Sequence, residues 1–334
     1  MTDATVAVRP IGHTATDGDR PGREVHEVVL QAGLLRCAVW TYGASLIELW
    51  APDRAGRVDN VAVRLPALAD YEQRADDARL GSTMGRYCRM VGGGRLMLDG
   101  QLHELDRNAG QHHLHGGSHG FDRQVWRLVA HGTEPDAAFA TLQHESADGD
   151  QGYPGAVVAR ATYRLQADGI LTVTYEARTS APTVVGLTLH GYWNLAGTGR
   201  IDGHELTVAA SRVLVHDADL VPLAEPARVA GGPLDFTAPR RIGTGALDHC
   251  YLPDGPQPVV LLRDPASGRE LTITTTEPGF AVYTADHFAR RRRAGICLQS
   301  TALPDAPNQP GFPSARLDPG QTYRHRVVHR FTAR

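Results

Sequence analysis

The chain has 334 residues, 42% of them hydrophobic, and is therefore long enough to bury a large core. Its formal net charge of -3 and pI of about 6.6 exclude the basic surface that is typical of nucleic-acid-binding proteins. The chain contains arginine but no lysine, which excludes a mechanism that forms a Schiff base on a lysine.

The N-terminal residues 1–34 predict strands and carry no signal for export or membrane insertion. No basic segment precedes an apolar one, and no run in the chain approaches the roughly 20 apolar residues of a membrane span. The four cysteines show neither a CxxC pair nor metal-ligand spacing: Cys37, Cys88, Cys250 and Cys297. We therefore expect a cytoplasmic protein without a disulfide framework or zinc site, which binds neither membranes nor nucleic acid.

Most apolar segments are short, β-branched or alternating, and they end at Gly, Pro, Asp or Asn, which is typical of strands. A helix pattern occurs at residues 66–80. Two predicted hairpins turn on the Asp-Gly pairs that favour two-residue turns, at Asp99 and Asp168. The predicted hairpins and the terminal strand span residues 95–105, 163–177, 258–276 and 322–333.

Many short strands and almost no helix predict an all-β fold, a large antiparallel β-sandwich. The chain contains no Pro- or Ser-rich linker and no repeat of fixed period, so we expect residues 1–334 to form a single domain. One charge run, Arg290 to Arg293, lies between two strand-like segments and is expected to be a solvated loop.

Histidine is frequent, with 16 residues, and several histidines lie in glycine-rich or polar segments. Imidazole titrates near neutral pH, so a histidine in a cleft can act as a general acid or base. In NAGQHHLHGG, His113 and His115 share one face of an extended segment and His112 occupies the other. Such a loop binds a sugar or an acid, or forms a plain turn. A metal site would need a further ligand of fixed geometry, which the sequence does not display.

Two further segments place a histidine beside other functional groups. In VGLTLHGYWNLAG, His190 follows an apolar strand and precedes Tyr192 and Trp193. In GALDHCYL, Asp248 and His249 face opposite sides of a strand. Each segment alone is compatible with a structural role. Together they predict acid/base and aromatic side chains suited to a polar, ring-shaped ligand.

Taken together, these segments resemble the aldose 1-epimerase (galactose mutarotase) family, from about Arg36 to the C-terminus and in the family's order. The glycine-arginine segment that leads into a hairpin is GSTMGRYCRMVGGGRLMLDGQLHEL. The run from Thr183 to Leu195 is similar to the family's His-x-Tyr-Phe-Asn-Leu element. The other matching segments are NAGQHHLHGG, DGDQGYPGAVVARATYRL, LDHCYL, PLDFTAPRRIG and LPDAPNQPGFPSARLDPGQTY.

The resemblance implies a large antiparallel β-supersandwich of the galactose mutarotase type with an open sugar cleft. It also implies a cofactor-free reaction in which one side chain protonates the ring oxygen while another deprotonates the anomeric hydroxyl. The ring opens, the C1 carbonyl turns and the ring recloses. By position, His190 matches the general acid, His115 a second histidine that hydrogen-bonds the sugar, and Asp248 a carboxylate that binds sugar hydroxyls, with Tyr192 beside them.

Two positions depart from the family's pattern. Gln299 stands where the family has its glutamate base, and Thr301 stands where a glutamine follows. An amide cannot take the proton but still donates and accepts hydrogen bonds. In the glycine-arginine segment, Met90 stands where the family has a substrate-binding arginine. Arg89 is one position away, which on a strand turns its side chain to the other face unless a bulge intervenes.

Other positions add titratable groups near the expected cleft. Ala285-Asp286 stands where the family has a Gly-Asn pair, so that Asp286 adds a carboxylate and the next residue, His287, an imidazole; His112 stands where the family has Asn. We predict an aldose 1-epimerase-like isomerase that moves protons on a sugar hemiacetal, its base being Asp286, a histidine or a water held by Gln299. Two alternatives are another acid/base reaction on a specialised metabolite (cyclisation, elimination or isomerisation) and carbohydrate binding without catalysis. The sequence specifies neither the sugar nor the oligomeric state.

Overall fold

The computed structural model describes residues 4–16, 21–73, 79–223, 225–255, 258–289 and 291–334. Strands account for 48% of the structure and helices for 6%, and the sheets are antiparallel. The predicted all-β class is therefore confirmed. Across these residues, no helix is both long enough and apolar enough to cross a membrane.

The first sheet has five strands that are neighbours in chain order. Its second and third strands contact two neighbouring strands of the largest sheet, and the apolar side chains between them form the main core. The five strands are β1 (Thr5–His13), β2 (Glu24–Ala32), β3 (Leu35–Trp40), β4 (Ser45–Pro52) and β5 (Val58–Asn60).

The predicted helix at residues 66–80 is shorter than expected. Helix α1 spans Leu68–Glu72 and buries Tyr71 against Trp40, with ring centroids 5.3 Å apart. Residues 74–78 lie outside the described part of the chain, and Arg79 and Leu80 are not helical. The backbone of Gly81, with a φ of +68°, bridges the chain between Leu46 and His190, which a helix cannot do.

Five short strands follow the helix. The hairpin predicted at residues 95–105 is confirmed, and both Asp99 (φ +51°) and Gly100 (φ +77°) adopt the left-handed conformation of the expected two-residue turn. The strands are β6 (Thr83–Met84), β7 (Met90–Val91), β8 (Arg95–Leu98), β9 (Gln101–Glu104) and β10 (His113–Leu114), and β7 pairs with β10.

The remaining strands complete the large sheets. The predicted hairpins at 163–177 and 258–276 and the predicted terminal strand at 322–333 are confirmed. They are formed by β13 (Val157–Gln166) with β14 (Ile170–Thr179), by β23 (Val260–Arg263) with β24 (Arg269–Thr275), and by β28 (Tyr323–Ala333). The strands are β11 (Arg127–Glu134), β12 (Ala137–Ser146), β13 (Val157–Gln166), β14 (Ile170–Thr179), β15 (Thr183–Val184), β16 (Thr188–Leu189), β17 (Tyr192–Trp193), β18 (Glu205–Val208), β19 (Arg212–Val213), β20 (Ala227–Arg228), β21 (Arg240–Arg241), β22 (Asp248–Leu252), β23 (Val260–Arg263), β24 (Arg269–Thr275), β25 (Gly279–Tyr283), β26 (Ile296–Thr301), β27 (Arg316–Leu317) and β28 (Tyr323–Ala333).

A nine-stranded sheet has the order β11-β12-β13-β14-β28-β24-β23-β18-β21. Along β13 every second side chain is buried, as expected for a strand with one face on a core. A six-stranded sheet has the order β17-β26-β25-β22-β19-β20 and carries much of the candidate site.

The expectation of a solvated loop at the arginine run is wrong for Arg293. Its side chain is only 1% exposed and its guanidinium donates to Asp202 Oδ1 at 2.5 Å and to Asp286 at 3.1 Å. Arg290 lies outside the described residues, whereas Arg292 is largely exposed. A left-handed backbone at Arg293 (φ +60°) turns one residue of the run inward, which the pattern of like charges does not reveal.

Candidate active site

Most of the predicted site residues lie around one cavity of about 340 Å³, between the six-stranded sheet and the β7–β10 ladder. This volume is at the lower end of the range of about 300–1,000 Å³ found for small-molecule sites, so the cavity suits a ligand the size of a monosaccharide. Eight of the nine side chains predicted for the site line it: His190, Gln299, Asp286, His115, Asp248, Arg89, Tyr192 and His287.

The floor of the cavity is one row of side chains across four neighbouring strands. Asp248 of β22 pairs in register with Tyr283 of β25, Tyr283 with Cys297 of β26, and Cys297 with Tyr192 of β17. Register partners in an antiparallel sheet point to the same face, so the pairing itself gathers the row. Gln299 lies two residues after Cys297 and shares its face.

His190 lies just before β17 and is 7% exposed. Its ring stacks on Tyr192, with centroids 5.2 Å apart, and its Nδ1 lies 3.5 Å from the Cys297 sulfur. Burial, reinforced by the charges of Arg79 and Arg89, lowers the pKa of His190 to about 3. The imidazole is therefore neutral at physiological pH, with one lone pair and one N–H.

His115 contacts His190 edge to face, with ring centroids 5.1 Å apart. Its Nδ1 accepts a hydrogen bond from the backbone N–H of Arg89 at 3.2 Å, and the Cys88 sulfur lies 3.7 Å from the same nitrogen. A neutral imidazole that accepts at Nδ1 carries its proton on Nε2. His115 is therefore set up to donate a hydrogen bond to a ligand oxygen.

Gln299 is held by a sulfur atom. Its Nε2 donates to the Cys88 sulfur at 3.1 Å, and the Thr301 hydroxyl lies 3.6 Å from the same sulfur. Burial raises the pKa of Cys88 to about 12, so this group is a neutral thiol. Gln299 is 1% exposed, and its Oε1 is buried without a hydrogen-bond partner in the described part of the chain.

Arg89 lines the cavity, and so does its neighbour Met90. A left-handed backbone at Arg89, with a φ of +69°, precedes β7 and removes the strict alternation that would have turned one of the two away. The Arg89 guanidinium lies 3.5 Å from Asp248 Oδ1. Burial opposes charge on Arg89, but the neighbouring Asp248 carboxylate outweighs it and raises the pKa of Arg89. Asp248 Oδ1 is buried and makes no hydrogen bond to any described residue.

Asp286 and His287 line the cavity from the loop after β25. Burial opposes charge on Asp286, but hydrogen bonds from Thr284 and Arg293 outweigh it and lower the pKa of the carboxyl. Both oxygens of this carboxylate therefore accept hydrogen bonds within the protein. His287 Nδ1 is hydrogen-bonded to the Tyr283 hydroxyl.

His112 does not line the cavity. Its Nδ1 accepts from the backbone N–H of Gly93 at 3.0 Å, and its Nε2 lies 3.4 Å from Asp219 Oδ2. His113 is also structural, because it is fully buried between Asp106 and Tyr153. No group of three His, Cys, Asp or Glu residues with the geometry of a metal site occurs in the described ranges.

Several cavity residues were not assigned to the site from the sequence. Cys297 could have been found, since it lies two positions before Gln299 on a strand. Arg79, Leu114, Leu220 and Tyr283 carry no such local signal, because strand pairing and loop packing bring them in from separate parts of the chain.

Comparisons with known proteins identify the scaffold that carries this cavity. Residues 26–330 match the profile of the family described as aldose 1-epimerase. The galactose mutarotase of Bos taurus is 33% identical to this chain over 344 residues, which covers 95% of the chain and 98% of that protein. This chain belongs to the aldose 1-epimerase family. The resemblance inferred from the motifs is thereby confirmed.

Two further relatives of this family agree. The aldose 1-epimerase of Escherichia coli (strain K12) is 29% identical over 319 residues, covering 87% of the chain and 90% of that protein. The structure of a galactose 1-epimerase from Lactobacillus acidophilus NCFM superposes with a TM-score of 0.87 at 25% identity and covers 99% of each chain. The predicted galactose mutarotase-like fold and the aldose 1-epimerase type of isomerase are therefore confirmed, and the two alternative functions are not favoured.

Proposed function

We propose that this chain interconverts the α and β anomers of a monosaccharide and that His190 carries the proton. The observation that supports this most directly is a pair of buried oxygen atoms, Gln299 Oε1 and Asp248 Oδ1, that have no hydrogen-bond partner in the described residues. They line the same cavity as the contacting imidazoles of His115 and His190. Buried polar atoms are normally satisfied, so such atoms call for a hydrogen-bond donor. Sugar hydroxyls are suitable donors.

The reaction needs one proton to leave the anomeric oxygen O1 and one to reach the ring oxygen O5. As the C1–O5 bond breaks, the C1–O1 bond becomes a carbonyl and O5 becomes a hydroxyl. The net change is the transfer of a single proton from O1 to O5, two oxygens on the same carbon. Rotation of the carbonyl group and the reverse steps yield the other anomer.

His190 can carry out both transfers. At neutral pH its pKa of about 3 leaves a free lone pair to accept the proton from O1. The imidazolium so formed is a strong acid and readily gives its proton to O5. His115 and Gln299 hold the sugar by hydrogen bonds, and the Arg89–Asp248 pair orients further hydroxyls.

The other titratable groups at the cavity are poorer choices. Gln299 has no basic group, and both carboxylate oxygens of Asp286 already accept hydrogen bonds from Thr284 or Arg293. Burial raises the pKa of the Cys297 thiol well above its usual value, so it remains protonated. These properties leave His190 as the group best placed to move the proton.

Polarimetry tests the proposal. Freshly dissolved α-D-galactose and α-D-glucose are followed with wild-type protein, with His190→Ala and with His131→Ala as the matched control. His131 is exposed on β11, remote from the cavity lining. We expect wild-type and His131→Ala protein to accelerate the approach to equilibrium and His190→Ala to run at the spontaneous rate. Acceleration that survives in His190→Ala would overturn the assigned role.

A further inference from the structure

One side of the cavity is apolar, in contrast to its polar floor. Met90, Leu114 and Leu220 line it together. Met90 and Leu114 are direct register partners in the β7–β10 ladder, so their side chains stand side by side on one face. We call these three residues the apolar wall.

Leu220 reaches the wall through a costly backbone conformation. Its φ is +63°, which is rare for a bulky side chain. The loop around it is closed by the Asp217 carboxylate, which accepts from the backbone N–H groups of Asp219 and Val221 at 2.9 and 3.0 Å. Backbone strain that the surroundings enforce is concentrated at functional positions.

The same loop is tied to the cavity by His112. The imidazole bridges Gly93 and Asp219, with contacts of 3.0 and 3.4 Å, and Gly93 lies two residues after β7 ends. A residue expected to touch substrate therefore ties the loop that carries Leu220 to the segment that follows β7. The wall is a built feature that joins two distant segments of the chain.

We infer that the substrate is a deoxy sugar whose methyl or methylene group faces the apolar wall, a conclusion that rests on the proposed function. A hydroxyl placed against Met90, Leu114 and Leu220 loses its water and gains no partner. A methyl or methylene group in the same place loses nothing and buries apolar surface. The floor supplies the polar contacts for the remaining hydroxyls through Asp248, Gln299 and His115.

The test compares sugars that differ by one oxygen. The rate of mutarotation is measured for D-galactose against 6-deoxy-D-galactose, and for D-glucose against 6-deoxy-D-glucose and 2-deoxy-D-glucose. We expect at least one deoxy sugar to have a kcat/KM about 10-fold or more above that of its parent. Parents that equal or exceed all their deoxy analogues would overturn the inference.

Two variants tie the preference to the wall. Leu220→Asn and Met90→Gln offer a hydrogen-bonding group and should shift the ratio back toward the parent hexose. Leu223→Asn is the control, because Leu223 is 49% exposed near the same loop and does not line the cavity. A ratio that is unchanged in both wall variants would contradict the assignment.

Calorimetric binding of the same sugars separates this inference from the proposed function. If no sugar is mutarotated but a deoxy sugar binds about 10-fold more tightly than its parent, the proposed reaction fails and the selectivity stands. If sugars are mutarotated without a preference for any deoxy analogue, the reaction stands and the selectivity fails.

Discussion

The amide nitrogen of Gln299 donates to the sulfur of Cys88 at 3.1 Å, and this contact leaves the amide oxygen buried at the cavity without a partner in the described residues. Thr301 contacts the same sulfur. By the family resemblance, Gln299 and Thr301 stand where the family has a glutamate and a glutamine, and both side chains contact the Cys88 sulfur. Cys88, Gln299 and Thr301 form a neutral cluster of contacting side chains.

Replacing the amide by a carboxylate should increase activity. In Gln299→Glu, the new base can take the proton from O1, and general base catalysis typically contributes about 10²- to 10⁴-fold. The nearby negative charge would also raise the pKa of His190 and favour its acid form. We expect kcat for mutarotation to rise by about 10²-fold, as measured by polarimetry at saturating sugar.

Gln299→Leu is the matched control for this prediction, since it removes the acceptor without adding a base. It should raise KM, because a sugar hydroxyl loses its partner. A folded Gln299→Glu protein that is no faster than wild type would show that the cluster around Cys88 cannot use a carboxylate.

The ion pair between Arg89 and Asp248 should govern substrate affinity. Arg89→Met removes a buried cation and leaves the Asp248 carboxylate without it, so we expect KM to rise about 10-fold or more. Arg95→Met, an exposed position on β8, is the control and should leave KM unchanged. An equal response of the two variants in polarimetric kinetics would argue against a role for the pair.

Buried histidines should make the fold sensitive to acid. Burial lowers the pKa of His144, His325 and His329 to about 4, against about 6.5 in the unfolded chain. The unfolded state therefore binds more protons below pH about 6.5, and the stability present above that pH is lost as the pH falls toward 4. Thermal unfolding should show the melting temperature declining through this window.

His144→Phe tests the acid sensitivity at one position. The ring packs against Phe121, with centroids 4.7 Å apart, and His144 Nε2 is buried without a hydrogen-bond partner in the described residues. Phenylalanine keeps an aromatic ring there and cannot be protonated. About 3 kcal/mol of the acid-induced loss should disappear, in line with a pKa shift from 6.5 to about 4. An unaltered dependence of melting temperature on pH would contradict this origin.

Arg293 should stabilise the rim of the cavity. Arg293→Met leaves Asp202 and Asp286 without their buried cation and should cost roughly 3 kcal/mol of unfolding free energy in urea. It should also impair mutarotation, because Asp286 and His287 lose the anchor of their loop. Arg292→Met, whose side chain is 63% exposed, should change neither quantity appreciably. Similar losses in both variants would rule out a special role for Arg293.

Local patterns predicted most of the strands, because alternation and Asp-Gly turns are properties of neighbouring residues. The helix at 66–80 was overestimated: it spans only Leu68–Glu72, and Gly81, just past the predicted end, pairs with residues distant in the chain. The sequence motifs assigned His190, His115 and Asp248 to one site, and all three line the cavity. The positions of Arg89 and Leu220 could not be predicted, because each depends on a left-handed backbone that side-chain pattern does not encode.

His112 was assigned to the site from the sequence but does not line the cavity. Its place in a histidine-rich loop indicated a substrate contact, whereas the structure ties it to Asp219. Whether a histidine faces a cavity or a neighbouring loop depends on strand pairing far away in sequence. The position of Cys297, by contrast, could have been predicted, because side chains two residues apart on a strand share a face and Cys297 lies two residues before Gln299.

The dependence of the mutarotation rate on pH tests most directly whether a neutral His190 moves the proton without a carboxylate partner. The spontaneous rate is subtracted at each pH, and folding is checked in parallel by circular dichroism. With a pKa of about 3 for His190, we predict a kcat/KM that is flat between pH about 8 and 5. A rate that instead rises as the pH falls through about 6 to 7 would require a protonated imidazole and would contradict the account.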